Sequence, residues 1–187
     1  MNVSFKASIV NYATIIKKDK ITQMESDYIG SFVELDKNNK DDYRALKDVA
    51  SKWERGVSYA INILDNFAFE RSGKNIINNG KYRYFALTTN NKPFKKLKPE
   101  SILGVASIIE RDDKPFTLQH LQVHPEHTYL AENRGFRHIG ESITKSIQNL
   151  IKSNILNLYS SSDEATAFYK KMNFIKDKKS IYMIFKP

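Results

Sequence analysis

T-L-Q-H-L-Q-V-H-P-E-H-T-Y-L-A-E-N-R-G-F-R-H-I-G-E-S-I, residues 117–143, is the stretch on which the reading of the fold turns. Its first part alternates. Leu118, His120 and Gln122 fall on one side of an extended chain and Thr117, Gln119, Leu121 and Val123 on the other, the period of a half-buried strand. Pro125 lacks a backbone donor and ends it. Beyond Arg134-Gly135-Phe136-Arg137-His138, the residues Ile139, Ile143, Ile147, Leu150 and Ile151 recur at three- and four-residue intervals, which predicts an amphipathic helix. The first turn of a helix leaves N–H groups unpartnered at the positive end of its dipole, so a phosphate group is stabilised there. Gly135 and Gly140 let backbone approach a ligand, and Arg134 and Arg137 add charge and paired hydrogen bonds. The order strand, glycine-bearing turn, helix also occurs in domains that bind nothing, and both readings stand at this point.

Working outward, 187 residues suffice for one domain that buries about 70% of its unfolded surface. No apolar run approaches the ~20 residues of a membrane helix, and the first residues, M-N-V-S-F-K-A-S-I-V-N-Y, lack the order of a signal peptide. A soluble, cytoplasmic protein with no membrane partner is expected. The absence of cysteine excludes disulfides and thiolate chemistry, and the four histidines lack metal-ligand spacing, so no metal is expected. Thirty Lys+Arg against 21 Asp+Glu give a net charge of +9, which attracts anionic cofactors. The charge is scattered apart from Lys92–Pro99 and Lys176–Lys179. Both stretches have the composition of solvated loops, and nucleic acid is not an expected partner.

In chain order, Ser4 to Lys18 suits a strand pair or a short helix equally, and residues 1–25 are treated as an N-terminal extension packed on a single domain spanning 26–187. Tyr28 to Leu35 has strand composition. Asp41 or Asp42 is positioned to cap a helix with a stripe through Tyr43, Leu46, Val49, Ala50 and Trp53, and a second helix is predicted from Val57 to Glu70. Lys81 to Thr89 and Ser101 to Glu110 are strands, the latter joined to the strand at 117 by the turn Arg111–Pro115. After the helix at 139–152, Ile155 to Tyr159 is a short strand. Ser161-Ser162-Asp163-Glu164 starts a helix, Ala165 to Met172, and Ser180 to Phe185 is the last strand. The order β-α-α-β-β-β-α-β-α-β predicts an α/β (α+β) domain: a mixed, mostly antiparallel sheet with helices on both faces.

The chain resembles the GNAT superfamily of acyl-CoA-dependent N-acyltransferases over roughly residues 28–185. The resemblance rests on L-Q-V-H-P-E for the central strand and phosphate loop, I-G-E-S-I at 139–143 for the end of the Arg/Gln-x-x-Gly-x-Gly/Ala motif, and D-E-A-T-A-F-Y-K-K-M-N-F at 163–174 for the late helix. Departures are visible. The motif's middle glycine falls on His138 and its leading Arg or Gln on Gly135, with Arg134 one residue early. A side chain at 138 is tolerated if that residue already has helical dihedrals; otherwise the loop must be reshaped. The path from Val123 to Gly140 exceeds the family's usual length, which implies an insertion around His127 to Asn133. The register Arg137-x-x-Gly140-x-Ser142 is the alternative, and burial of Ile139 and Ile143 favours the first. Ser162 stands where the family often has Asn, and Asn173 where it has Gly.

The resemblance implies direct transfer of an acetyl group from acetyl-CoA to a primary amine of a small molecule or protein, by a monomer or homodimer. It implies a backbone donor at Val123 or Gln122, cofactor contacts at Arg134, Gly135, Arg137, His138, Ile139, Gly140, Ser162 and Lys171, and Tyr169 as the acid that meets the departing thiolate. His120, His124, Glu110 and Glu126 remain open as the base, with a water chain as the alternative. Trp53, Phe67, Phe69, Tyr82, Tyr84 and Phe85 flank the implied acceptor channel and are equally explained as core. A non-catalytic GNAT-like module that binds CoA and regulates is the second reading.

Overall fold

In the computed structural model the described residues are 7–53, 58–74, 77, 79–92, 96–112, 114–152, 154–178 and 180–187. Phe5, the expected helix start at Val57, Pro93-Phe94-Lys95 of the basic loop, Asp113 and Lys179 lie outside them. Strands β1 (Ser8–Lys18) and β2 (Glu25–Leu35) form a long antiparallel hairpin, so the first segment takes the strand alternative. Helices α1 (Lys40–Lys52) and α2 (Tyr59–Arg71) follow, then the meander β3 (Gly80–Thr88), β4 (Ile102–Arg111) and β5 (Phe116–Val123). A two-residue strand β6 (Phe136–Arg137) precedes helix α3 (Ile139–Ile151), and β7 (Leu156–Tyr159), α4 (Asp163–Lys171), β8 (Ile175–Lys176) and β9 (Tyr182–Phe185) complete the order. Neither β6 nor β8 was expected from local pattern, because two residues show no periodicity.

The strands form one sheet in the order β6-β1-β2-β3-β4-β5-β7-β9-β8. Among the described residues its neighbours are antiparallel except β5 and β7, which are joined through α3 as a parallel pair requires. Both faces are covered. The α3 stripe, Ile139, Ile143, Ile147 and Ile151, packs on Ala106, Ile108 and Leu118, together with Met172 and Phe174. On the other face Leu46, Val49, Trp53, Ile63 and Phe67 of α1, α2 and the turn after α1 pack on Val33, Tyr84 and Val105. Trp53, Phe67, Tyr84 and Phe85 are core side chains.

Three local features position the site. First, Ser107 pairs with His120 but Ile108 pairs with Leu118, so Gln119 is a bulged residue. The bulge breaks the alternation expected from the sequence. Leu118 faces α3, whereas His120 and Gln122, expected on its side, face α2. Second, β5 pairs with β7 only through Phe116, Thr117 and Leu118, and beyond that point the two strands diverge. Third, α3 lies against Gly104. A Cβ there would fall 2.6 Å from Ile143 Cδ1 and 3.1 Å from Ile139 Cγ2, so a larger residue forces the side chains at the helix start to shift.

The cap of α1 differs from expectation. Asn39 supplies it, its side chain accepting from the N–H groups of Asp41 at 2.8 Å and Asp42 at 3.4 Å. Asp42 instead turns inward to accept from the Asp36 N–H at 2.9 Å, and burial pushes its carboxyl up to about 6. Asn39→Ala is expected to lower stability by about 1 kcal/mol in urea denaturation, and Asp41→Ala by less than about 0.5 kcal/mol. Gly104→Ala is expected to remove about 1–3 kcal/mol in the same measurement, because the clash is with a packed helix.

Candidate functional site

Where β5 leaves β7 a cleft of about 1200 Å³ opens. It is lined by β5, the segment after it, the first turn of α3, one side of α4, and Tyr59 of α2. The open edge of β5 carries specific amides. His124 N–H donates to Leu103 O at 2.8 Å, toward β4. Successive amides along a strand point to alternate edges, so Gln122 N–H is also turned to β4, while Val123 N–H is turned to the cleft. Of the two backbone donors read from the sequence, the structure therefore places Val123 at the cleft. Gln122 has a different task. Its Oε1 accepts from Ala60 N–H at 2.6 Å and from Ser58 Oγ at 3.4 Å, which tethers the start of α2 to the sheet.

Among the described residues the starts of the four α-helices are satisfied in different ways. Asn39 caps α1, Gln122 serves α2, and Ser162 Oγ accepts from Ala165 N–H at 3.2 Å in α4. At α3 the N-cap residue His138 makes no side-chain capping bond. The unpartnered amides of that turn belong to the backbone of Ile139, Gly140 and Glu141, which line the cleft with His138. His138 has φ 61° and ψ 19°, the left-handed region and not right-handed helical dihedrals. It thus occupies a conformation more natural to glycine, at a cost of about 1–2 kcal/mol for an L-residue. The helical dihedrals under which a side chain at 138 would be tolerated are therefore not present, and the turn into α3 is reshaped around His138, with Ile139 and Ile143 buried behind it. The ring is held by its Nδ1, 2.7 Å from Glu141 Oε2.

The other expected contacts divide. Gly140 sits in close packing, since a Cβ there would meet Phe168 Cζ at 3.4 Å and Val123 Cγ2 at 3.7 Å. Gly135 is less constrained, with His127 Cε1 at 3.5 Å, and does not itself line the cleft. Arg134, Ser162 and Lys171 line the cleft, and Arg134 makes no ion pair among the described residues. Arg137 lines it too, but its Nη1 is paired with the Glu25 carboxylate on the β1–β2 hairpin.

Tyr169 reaches the cleft from α4, braced edge-on by Phe168 and Phe174 at 5.0 and 5.5 Å between ring centroids. Burial, reinforced by Tyr59, pushes its hydroxyl up to about 12, so it holds its proton throughout the neutral range. Across the cleft Tyr59 stacks on His120 at 5.5 Å. Burial holds the His120 imidazole below its ordinary value of 6.5, and its Nδ1 is buried without a hydrogen-bond partner. Tyr59 was not singled out in the sequence, since only the placement of α2 over β5 brings it here. The other candidate bases are engaged elsewhere. His124 packs edge-on against Trp53, and its Nδ1 accepts from Glu126 N–H at 3.2 Å. Glu110 pairs with Lys81 and Arg83. Neither Glu110 nor Glu126 lines the cleft.

No family model matches the sequence, and no curated protein matches it. Solved structures do match. The AtaT mutant toxin bound to the C-terminus of the antitoxin AtaR and acetyl-CoA superposes with a TM-score of 0.51 at 17% identity, over 84% of this chain and 92% of that one. The AtaT mutant toxin alone gives 0.51 at 14% identity, over 100% of this chain and 95% of that one. A histone acetyltransferase HPA2 and related acetyltransferase from Corynebacterium glutamicum gives 0.50 at 11% identity, over 84% and 96%. At such identities the likeness is one of architecture, and by that likeness the chain has the GNAT acetyltransferase fold.

Proposed function

We propose that the cleft binds acetyl-CoA and that the protein transfers the acetyl group to a primary amine. The observation that carries this reading is the pairing of two unsatisfied backbone surfaces across one cleft: the free edge of β5 at Val123 and the uncapped first turn of α3. The first suits a thioester carbonyl, which gains negative charge during acyl transfer. The second suits a diphosphate, with Arg134 and Lys171 adding charge. Glu141 opposes an anion in that turn, and its hydrogen bond with His138 offsets part of its effect.

Tyr169 then serves as the acid. A hydroxyl that keeps its proton at neutral pH donates to the sulfur as the C–S bond breaks and negative charge gathers there. His120 serves as the base. Above its lowered value it is neutral, and its ring lines the cleft, where an imidazole nitrogen takes the proton that the amine loses on attack. The sign of the pH dependence follows. Activity is retained above the ordinary imidazole value of 6.5 and falls only as pH drops through the lower value that burial imposes.

Three measurements on an amine panel test these roles by following release of free CoA thiol. Tyr169→Phe is expected to lower kcat by about 10²- to 10⁴-fold while calorimetric affinity for acetyl-CoA stays within a few-fold; unchanged turnover removes the acid assignment. His120→Gln is expected to lower kcat/KM by at least about tenfold and to abolish the acidic limb of the pH profile. Were that limb to persist in the variant, another group would be the base. Saturable acetyl-CoA binding with no amine acetylated would assign the protein to cofactor binding without transfer.

A further inference from the structure

The segment between β5 and α3 presents Tyr129 and Leu130 at the lip of the cleft, 68% and 77% exposed. Two large apolar side chains held side by side in water at a ligand cleft mark a surface that something covers. The segment carrying them is fixed at both ends. On the outgoing side His127 N–H donates to His124 O at 2.8 Å and Ala131 N–H to Thr128 O at 3.1 Å. On the return, the Phe136 ring lies edge-on between His127 at 5.3 Å and Tyr28 at 5.6 Å. Phe136 and Arg137 pair with Lys17 and Ile16 of β1, and Lys18 N–H donates to Gly135 O at 2.9 Å. The β1–β2 hairpin therefore clamps the loop, so the exposure of its tip is imposed by the fold.

Charge says what the tip faces. The same segment carries Arg134, unpaired among the described residues, and leads directly into the uncapped amides of α3. Tyr159, Ile181 and Tyr182 also line the cleft and are exposed, with Lys171 as a further basic side chain in the lining. An aromatic and an aliphatic side chain beside a guanidinium and a phosphate-ready helix start match a nucleotide, whose base offers a π-face and whose phosphates offer charge. We propose that Tyr129 and Leu130 are the platform on which the adenine ring of CoA stacks, with Arg134 holding the adjoining diphosphate. The inference rests on the reading of the cleft as an acetyl-CoA site. It assigns the insertion, which departs from the family's usual loop, to recognition of the nucleotide end of the donor.

Ligand truncation tests it. CoA and 4′-phosphopantetheine, which lacks the adenosine part, are titrated calorimetrically into the wild-type protein, Tyr129→Ala and Tyr129→Phe. Tyr129 is mostly exposed, so the alanine variant retains the fold. Tyr129→Ala is expected to weaken CoA about 5- to 100-fold and leave 4′-phosphopantetheine within twofold, while Tyr129→Phe keeps the wild-type affinity for CoA. Equal weakening of both ligands, or unchanged CoA binding, overturns the platform while leaving the donor site intact. Wild-type protein that binds neither ligand removes the donor site itself, and the platform with it.

Discussion

The structure depends on a divergence. β5 and β7 pair over three residues and then part, which leaves the rest of that β5 edge facing the cleft with no strand beside it among the described residues. Buried main-chain donors and acceptors almost always find partners. An edge that opens on a cleft can take its partners from water or from a ligand, and the remaining features of the fold serve to keep that opening in one shape. Gly104 lets α3 close down on the sheet so that its first turn faces the opening. The bulge at Gln119 changes the phase of β5. Leu121 and Val123 then pack toward α3, while His120 and Gln122 are directed at α2.

Gln122 and His138 show how the energetics are distributed around the opening. Gln122 ties the start of α2 to β5 with a short hydrogen bond, which holds Tyr59 against His120 on the α2 side of the cleft. His138 accepts a left-handed backbone and offers no cap, so strain and unsatisfied amides coincide at one turn. Strain of this size persists only when the surroundings over-determine it. Here the surroundings are the hydrogen bond to Glu141, the burial of Ile139, and the bond from Ser142 Oγ to Thr14 O of β1 at 2.6 Å. The N-terminal hairpin is thus part of the support of the cleft.

Much of this was legible in the sequence, and the remainder was not for definite reasons. The α3 stripe, the alternation of β5 and the hydroxyl start of α4 are local patterns, and each produced the element it implies. The cap of α1 lies two or three residues before the expected Asp41 or Asp42, because both are good caps, and only the inward turn of Asp42 toward Asp36 decides for Asn39. The phase change at Gln119 has no local signal, since a bulge is fixed by the partner strand. The roles of Gln122 and Tyr59 depend on contacts with residues some sixty positions away in the chain. The clamp of β1 on Phe136–Arg137 depends on a still longer separation, and a two-residue strand has no periodicity to detect.

The central claim is that the free edge of β5 and the first turn of α3 are completed by one ligand. Hydrogen exchange resolved to single amides, with and without acetyl-CoA, reads those groups directly. The account predicts that saturating acetyl-CoA slows exchange at Val123 and at Ile139, Gly140 and Glu141 by at least about tenfold, with little change along β3. Unaltered exchange at these amides in a folded sample would contradict it.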